Sequence, residues 1–456
     1  MKRHIISVAT LLLVFVVVGR GQDTNSHSVP VPAISGELPY TTLLTPPLPV
    51  SSLRRPLTFA SESERSNYIT GRLQLGAGYD DNLLAQPRNH LDEVSYIIMP
   101  SIQIVKTRER WNWEFGYSPG FIINQKLVQN ETAHDLDMVF DYRLSPHVTT
   151  RLYDAFRKSN TLFYGFLQGS AGPEPGPLQQ PNTSVVMPFA NRAENNSGLD
   201  LTYQFSASDL VGASGNFNFV NYDADENLVS SNSGLIDSRA WGGDAFYTHR
   251  FSNRHWAGFT YSFQRLQFDP GYRTDVSRTF LFYSIETGSH LTFSVWAGPE
   301  QTTSVLPSVL SSANETDLQV HWGVAGGADL TWQGKRTITR LGYTRQTTDG
   351  SGIAQAVNLE QINGEIWQRL TARLTGGIGV GYAKNNPLNA ANGLVPSHSW
   401  LGNAQVEYRL TDNLVFALQY GRDQLSYIYS PSPAVRSNRN RAWVSLSYSF
   451  SRPLGR

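Results

Sequence analysis

The chain has 456 residues, and its 37 Lys and Arg side chains balance 37 Asp and Glu, so no net charge indicates nucleic acid or an acidic partner. Only 16% of the residues are charged, whereas about 25% is usual in a soluble domain. Aromatic residues make up 12%. The sequence contains no cysteine, which excludes disulfides, thiolate metal sites, a cysteine nucleophile and an N-terminal lipid anchor on cysteine.

The N-terminus has the pattern of an export signal. A positively charged start precedes an apolar run over 5–18 that is short for a transmembrane helix. The small residues Gly19 and Gly21 predict cleavage before Gln22, although the site is not Ala-x-Ala. We therefore expect a signal peptide over 1–21, with an uncleaved anchor as the alternative.

A segment rich in Pro, Ser and Thr follows over 22–67. Such a composition favours extended, polyproline-like structure without a core. We expect a largely disordered periplasmic leader here, with a docking segment for a partner as the functional alternative.

Alternation of apolar and polar residues dominates the rest of the chain. The stretch WNWEFGYSPGF (111–121) puts aromatic side chains on one face and polar or small ones on the other, as a β-strand does. LDMVFDYRL (136–144) and VSLSYSF (444–450) repeat the pattern. No stretch after residue 20 approaches the roughly 18 apolar residues of a membrane helix.

Short turns recur between these stretches with one sequence pattern. An aromatic residue or His is followed by a polar residue, by Leu or Phe, and by Ser or Thr. Longer stretches rich in Asn, Asp, Pro and Gly alternate with these turns, and that asymmetry is typical of outer-membrane barrels. The turns with this pattern are YRLSPH (142–147), YQFSASD (203–209), HRFSNRH (249–255) and YRLTDN (408–413).

The predicted fold is an all-β, transmembrane, antiparallel up-and-down β-barrel of about 18 strands (16–18) over 68–450, followed by a tail over 451–456. We expect short periplasmic turns after even-numbered strands and long extracellular loops after odd-numbered ones, so that both ends of the barrel are periplasmic. The predicted strands lie near 69–79, 93–106, 110–123, 134–144, 147–157, 195–206, 209–222, 236–250, 254–267, 274–286, 289–299, 317–332, 336–347, 357–369, 372–384, 398–410, 413–427 and 438–450.

The longest interruption, 158–195, lies at a long-loop position. A surface loop and a loop folded into the pore as a constriction both fit this position. TLFYGFL (161–167) is apolar enough to need cover, which argues against a fully solvated loop.

The first predicted strand ends in GYDDN (78–82). We expect Tyr79 to join the aromatic girdle at one membrane interface, and the polar residues after it to leave the membrane and begin the first surface loop. NYDADEN (221–227) and GYTRQTTD (342–349) repeat the pattern at other strand ends.

This strand end resembles the family of outer-membrane β-barrel porins that often accompany exopolysaccharide gene clusters. In architecture the resemblance extends over most of 68–450. It implies an outer-membrane channel and no catalytic residues. In sequence it is carried by the turn pattern and by Gly78, Tyr79, Asp80, Asp81 and Asn82.

Charged residues occur on the predicted inner face of several strands. They are costly against lipid and cheap in a water-filled interior, so they predict a wet lumen. Because the signs balance, we expect weak ion selectivity at most; alternatively, opposite charges pair across strands and fill the interior. Trp367 and Trp443 also point inward, either to stack on sugars or to pack. The predicted lumen-lining residues are Asp137, Asp141, Arg143, Asp200, Glu365, Arg369, Glu407, Arg409 and Arg441.

These patterns predict a porin-like channel in the outer membrane of a Gram-negative-type bacterium, passing small hydrophilic solutes or saccharides and linked to exopolysaccharide export. A non-conducting barrel that acts as an adhesin or assembly partner is the alternative, and an outer-membrane enzyme is a third. The sequence contains no HExxH, GxSxG or P-loop motif. We therefore expect no enzymatic activity, no metal and no cofactor.

The expected partners are outer-membrane lipid, the barrel-assembly machinery and polysaccharide or export-system proteins. The final strand ends in alternating aromatic residues, as substrates of the assembly machinery do. We expect Tyr448 and Phe450 to carry that signal, although SRPLGR follows them. The oligomeric state does not follow from the sequence.

Overall fold

The computed structural model of the chain describes residues 67–83, 85–126, 131–160, 191–223, 235–269, 271–287, 290–305, 318–350, 354–388, 396–427 and 435–454. The predicted signal peptide, nearly all of the predicted leader and most of the 158–195 loop lie outside these residues. In the part of the chain that is described, no helix is long and apolar enough to cross a membrane.

Eighteen antiparallel strands form one closed sheet, which confirms the predicted barrel. Each strand pairs with the next along the chain, and β1 pairs with both β2 and β18. Closure gives the first and last strands a partner on both sides, as a sheet in lipid requires. The strands are β1 (Tyr68–Asp80), β2 (Glu93–Thr107), β3 (Trp111–Asn124), β4 (Glu131–Arg143), β5 (Val148–Asn160), β6 (Asn191–Gln204), β7 (Asp209–Asp223), β8 (Ser238–Ser252), β9 (His255–Phe268), β10 (Tyr272–Thr287), β11 (Leu291–Val305), β12 (Leu318–Gln333), β13 (Thr337–Gly350), β14 (Ala354–Arg369), β15 (Leu374–Pro387), β16 (Ser397–Arg409), β17 (Leu414–Tyr427) and β18 (Val435–Pro453).

All of the predicted strands are present, and most of their ends agree within four residues. β11 continues six residues past the predicted end at 299, to Val305. β18 runs three residues into the predicted tail, because Ser451, Arg452 and Pro453 lie opposite the first three residues of β1. In both places the strand pairing continues through polar residues. The end of the apolar alternation therefore does not mark the end of the strand.

The turns after even-numbered strands are tight, and the Ser or Thr of their sequence pattern explains why. Ser145 Oγ accepts a hydrogen bond from the amide of Val148 at 3.1 Å, where β5 begins. Thr371 Oγ1 does the same for Leu374 at 3.0 Å. A hydroxyl that bonds its local backbone competes with continuing the strand, so it favours a turn. We call this end of the barrel the turn end; it also holds the start of β1 and the end of β18.

At the opposite end, which we call the loop end, two connections are shorter than predicted. β9 and β10 are joined by 269–271, and β13 and β14 by 351–353. The expectation that every odd-numbered strand ends in a long loop is therefore wrong at these two positions.

The outer face is apolar over most of its height. Phe121, Leu281 and Ile378 are examples of large side chains that are more than half exposed there. Such a band surrounding a closed barrel matches the lipid-facing surface of membrane barrels, which is about 25 Å tall. On the same face, Tyr117 Oη lies 3.0 Å from His134 Nδ1 of the neighbouring strand.

Inner glycines lie beneath aromatic rings. The Trp443 ring lies flat on Gly76 and Gly78 of β1, so a Cβ at either glycine would overlap it. Trp367 covers Gly377 of β15 in the same way. Rings that shield a neighbouring strand's glycine stabilise a curved sheet. Both tryptophans thus face inward, and at these contacts they act by packing.

Candidate functional site: the barrel lumen

The register places the predicted lumen-lining residues on the inner face. Arg151 of β5 lies opposite Asp141 on one side and Asp200 on the other. Glu365 lies opposite Arg340 of β13. By the alternation along each strand, Asp137, Arg143, Arg369, Glu407, Arg409 and Arg441 share this inner face.

Near the turn end the inner charges pair across neighbouring strands. Arg151 Nε lies 2.6 Å from Asp141 Oδ1, and Arg340 Nη1 lies 2.9 Å from Glu365 Oε1. The side chains of Arg151 and Asp137 nevertheless remain 46% and 52% exposed. The wall here is therefore charged and partly open to the lumen, with some of its charges paired.

Sequence reasoning missed some of the pairing partners, among them Arg151 and Arg340. Both follow the same inner-face alternation as the predicted residues. They were missed because each lies between a threonine and a leucine near the start of its strand, where an arginine gives no signal of its own. Only the register shows which acid lies opposite.

Near the loop end the inner wall is buried instead. Arg278 and Glu300 are 1% and 2% exposed and lie opposite each other on β10 and β11. Arg278 Nε donates to Glu300 Oε2 at 2.6 Å. Another part of the chain therefore covers the inner face of β10 and β11 at Arg278 and Glu300.

Part of that cover is the loop-end part of β13 and β14, which separates from β12 while β14 stays paired with β15. β13 and β14 pair with each other almost to the tip, but β13 pairs with β12 only from Ile338 to Arg345, opposite Gln333 to Gly326. We call 344–350 together with 354–361 the inner hairpin. The stretch GYTRQTTD was expected to lead out to the surface, and it leads into the lumen instead.

Thr347 fixes the inner hairpin to the buried ion pair. Its amide donates to Glu300 Oε2 at 3.0 Å and its hydroxyl donates to Glu300 Oε1 at 2.6 Å. Arg278 Nη2 donates to the Thr347 carbonyl at 2.5 Å. Both partners belong to the inner face of β10 and β11, so this segment of β13 lies inside the barrel.

Further contacts extend across the lumen. Ala356 packs in an apolar cluster with Ala240, Leu266, Phe268 and Val276, which belong to the inner face of β8–β10. Towards the tip, Asp349 lies close enough to Glu194 of β6 and Tyr222 of β7 to interact with them electrostatically. The inner hairpin therefore spans from β10–β11 towards β6–β7 and occupies the lumen near the loop end. Its residues Thr344, Gln346, Thr347, Thr348 and Asp349 are all less than a tenth exposed.

The polar residues of GYDDN were expected to begin a free surface loop. In the structure they are bonded to β18 instead. Asp80 is 1% exposed, and its Oδ2 accepts from Arg439 Nε at 2.6 Å. Asp81 Oδ1 accepts from the amide of Asn440 at 2.6 Å. Asn82 Nδ2 donates to the Asn438 carbonyl at 2.8 Å. Closure puts β1 beside β18, so these residues fasten the barrel seam, while Tyr79 remains exposed on the outer face.

A serine, a histidine and an acid come together at the β6–β7 turn, but not as a catalytic group. His249 Nδ1 lies 2.7 Å from Asp209 Oδ1. Ser206 Oγ donates to Asp209 Oδ2 at 2.6 Å and does not contact the histidine. A nucleophilic serine needs the histidine as its base, so this arrangement stabilises the turn.

Comparisons with known proteins add little to this description. No family model matches the chain, and no curated protein matches it. The outer membrane protein OpdK from Pseudomonas aeruginosa is 11% identical at a TM-score of 0.41, over 84% of this chain and 99% of that one. OccK2 (OpdF) from the same organism is 10% identical at a TM-score of 0.43, over 84% and 98%. The ferric-catecholate import receptor Fiu from E. coli K12 is 6% identical at 0.43, over 84% and 81%.

Proposed function

We propose that the chain is an outer-membrane channel of a Gram-negative-type bacterium, passing small hydrophilic solutes or saccharides. The observation that carries this proposal is the contrast between the two faces of one closed barrel. The outer face is apolar, and near the turn end the inner face carries charged side chains that are half exposed. An 18-strand barrel is wide enough to hold an aqueous channel.

Liposome swelling tests this proposal. Vesicles that contain the refolded protein should swell in isotonic arabinose or glucose and less in a trisaccharide, because a water-filled lumen admits solutes by size. Vesicles with the folded protein that swell no faster than empty ones would favour the alternative, a non-conducting barrel. The inner hairpin is the observation that keeps this alternative open.

Ion selectivity should be weak and easily shifted. Several inner charges are paired with opposite signs, and positive and negative residues balance over the chain, so a salt gradient should give a reversal potential near zero. Replacing Asp137, which is half exposed on the inner face, with lysine should shift the reversal potential towards anion selectivity. The matched change Asp412→Lys lies in an exposed turn and should leave it unchanged. An Asp137→Lys channel with the wild-type reversal potential would show that permeant ions do not pass this wall.

Assembly should depend on Phe450, in line with the expectation that the barrel-assembly machinery reads the last strand. Its ring is half exposed on the outer face and lies against Gly71. Phe450→Ser should lower the yield of folded protein in the outer membrane several-fold, while refolding in detergent changes little. Equal losses in cells and in detergent would mean that Phe450 acts in folding and not in recognition.

The link to exopolysaccharide export is a separate part of the proposal and rests on the GYDDN resemblance. Since those residues fasten the barrel seam, they support a shared way of closing the barrel more than a shared substrate. Export of a labelled polysaccharide from cells with and without the gene tests the link directly.

A further inference from the structure

Basic residues gather on the outer face of β15–β18, where these strands approach the loop end. Lys384 of β15 lies opposite His398 of β16, which in turn lies opposite Ser426 of β17. Ser426 lies opposite Arg436 of β18. This row crosses four strands, a width of about 14 Å at about 4.8 Å per strand. Arg422 lies on the same face of β17, before Ser426 and about 13 Å along the strand from it.

We call Lys384, His398, Arg422 and Arg436 the basic patch. The alternation of exposure along the strands places it outside the barrel. On β17, Arg422 is exposed while its neighbour Asp423 is buried on the inner face. On β18, Arg436 is exposed while its neighbour Ser437 is buried. Within the described part of the chain, neither arginine side chain forms an ion pair or a hydrogen bond.

Acids are scarce around the basic patch. On the described outer face of β15–β18 there is no Asp or Glu. Glu360 of β14 lies opposite Lys384, but its Oε1 also lies 3.7 Å from Arg345 Nε, so it offsets only one of these two cations. On the other side, Asp81 accepts hydrogen bonds from the amide and the side chain of Asn440. The basic patch and its surroundings therefore carry a net positive charge.

The arginines on the outer face of β8–β10 are partnered within the wall. Arg265 Nε lies 2.7 Å from Asp275 Oδ1, and Arg273 pairs with the same carboxylate. The Arg265 guanidinium carbon also lies 5.0 Å from the centre of the Trp241 ring. Basic residues on the outer face are thus not all alike, and those of the basic patch are the ones open to a ligand.

A shallow groove on the apolar wall lies beside the basic patch. Gly402 of β16 lies opposite Val380 on one side and Arg422 on the other. A Cβ at Gly402 would meet only the Arg422 carbonyl oxygen, at 3.8 Å. Ala404 follows on the same face, and the exposed ring of Trp400 stands on the loop-end side. Small residues between large exposed ones leave room here for an acyl chain.

The loop end of such a barrel borders the outer leaflet, because long loops are extracellular and tight turns periplasmic. Basic residues at the edge of a lipid-facing wall attract anionic headgroups. Arg and Lys form their strongest hydrogen bonds with phosphate and carboxylate. Charge complementarity therefore favours a phosphorylated lipid over a zwitterionic one at this place.

We propose that the basic patch binds a phosphorylated glycolipid of the outer leaflet. One phosphate is held by Lys384, His398 and Arg436, a second by Arg422, and an acyl chain lies in the groove. Tyr382 Oη lies 2.8 Å from His398 Nδ1; when this hydroxyl donates, the histidine Nε2 carries the proton and donates to the phosphate. The proposal uses the proposed outer-membrane location and does not depend on conduction.

Native mass spectrometry of the refolded, full-length chain tests this binding. The protein in detergent is titrated with diphosphoryl lipid A, with monophosphoryl lipid A and with phosphatidylcholine. We expect one diphosphoryl lipid A to be retained, the monophosphoryl form to bind several-fold more weakly, and phosphatidylcholine not to be retained. Inorganic phosphate in large excess should not displace the lipid, because the acyl chain also contacts the groove.

The test variant combines Lys384→Gln, Arg422→Gln and Arg436→Gln. It should bind diphosphoryl lipid A about tenfold more weakly or worse, because hydrogen bonds between charged partners are lost. Arg436→Gln alone is measured beside it and should show a smaller loss, so the result does not depend on folding of the triple variant. Gel mobility without heating shows that each variant is folded.

The matched control removes three basic residues that are exposed in turns at the opposite end of the barrel, Lys335→Gln, Arg336→Gln and Arg373→Gln. It should bind the lipid as the wild type does. Equal affinity of the wild type and both patch variants would overturn the proposal. So would displacement of the lipid by inorganic phosphate alone, or a dimer or trimer that retains no lipid, since a second copy would then cover this face. A chain that retains the lipid and gives no current would refute the channel and leave the lipid site standing.

Discussion

Replacing Asp80 with alanine is expected to weaken the barrel more than any other single change at its seam. Asp80 is almost fully buried and lies with its Oδ2 2.6 Å from both Nε and Nη2 of Arg439, which is itself 2% exposed. Removing one partner of a buried ion pair costs about 3–5 kcal/mol. Urea unfolding in detergent micelles should show a loss of this size.

The seam is a sensitive place because it joins the first and last strands of the barrel. On its inner face a second pair, Arg441 Nη2 and Asp423 Oδ2 at 2.5 Å, lies beside the first. The change leaves this neighbour intact, so the barrel should still assemble and only its stability should fall. Folded and unfolded forms migrate differently on gels without heating, which gives an independent readout of closure.

Asp412→Ala is the matched control, because this aspartate is exposed in the β16–β17 turn. Surface substitutions of this kind usually change the free energy of unfolding by no more than about 0.5 kcal/mol. An Asp80→Ala protein that unfolds at the same urea concentration as this control would contradict the role assigned to GYDDN.

Replacing Glu300 should have two large effects, one on stability and one on conduction. Glu300→Ala removes the carboxylate that pairs with the buried Arg278. The same carboxylate accepts the hydrogen bonds from the amide and the hydroxyl of Thr347, so both are lost. We expect a loss of about 3–5 kcal/mol in the free energy of unfolding, for the same reason as at Asp80. We also expect longer open times in single-channel records, because the bonds that hold Thr347 of the inner hairpin across the lumen are gone.

A double variant separates these two effects. Apolar side chains of similar size often replace a buried ion pair without a loss of stability. Arg278→Met with Glu300→Met should therefore unfold near the wild-type urea concentration and still show the longer open times. A double variant with wild-type stability and wild-type gating would mean that the ion pair only supports the wall.

The barrel itself was predictable from the sequence because two periodic signals agree. Alternation marks each strand, and the Ser or Thr of the turn pattern marks where a strand reverses, as at Ser145 and Thr371. Each signal is local, so neither depends on knowing the rest of the fold. The ends of β11 and β18 were harder to predict, because polar residues can either continue the strand pairing or begin a loop.

The inner hairpin was not predictable in the same way. Its arms alternate and pair like ordinary strands, and nothing within 342–361 specifies on which side of the wall they lie. One signal was available, since outward positions turn polar after Tyr343 while those of β12 stay apolar to Leu318. Recognising it requires knowing which residues of the two strands lie opposite each other, and that is a property of the register.

The partners of the GYDDN stretch were also not predictable from the local sequence. Two aspartates and an asparagine at a strand end are usual at a membrane surface, and the expected loop was a reasonable interpretation. Their real partners, Arg439 and Asn440, lie about 360 positions along the chain. Contacts that depend on closure cannot be recognised until closure is known.

We expect this barrel to conduct through a hydrated, charge-lined lumen. Single-channel recording of the refolded, full-length chain in planar bilayers tests it most directly. We expect discrete current steps that open and close, with a reversal potential near zero in a salt gradient. Protein that is shown to be folded by its gel mobility and yet gives no current steps would contradict it.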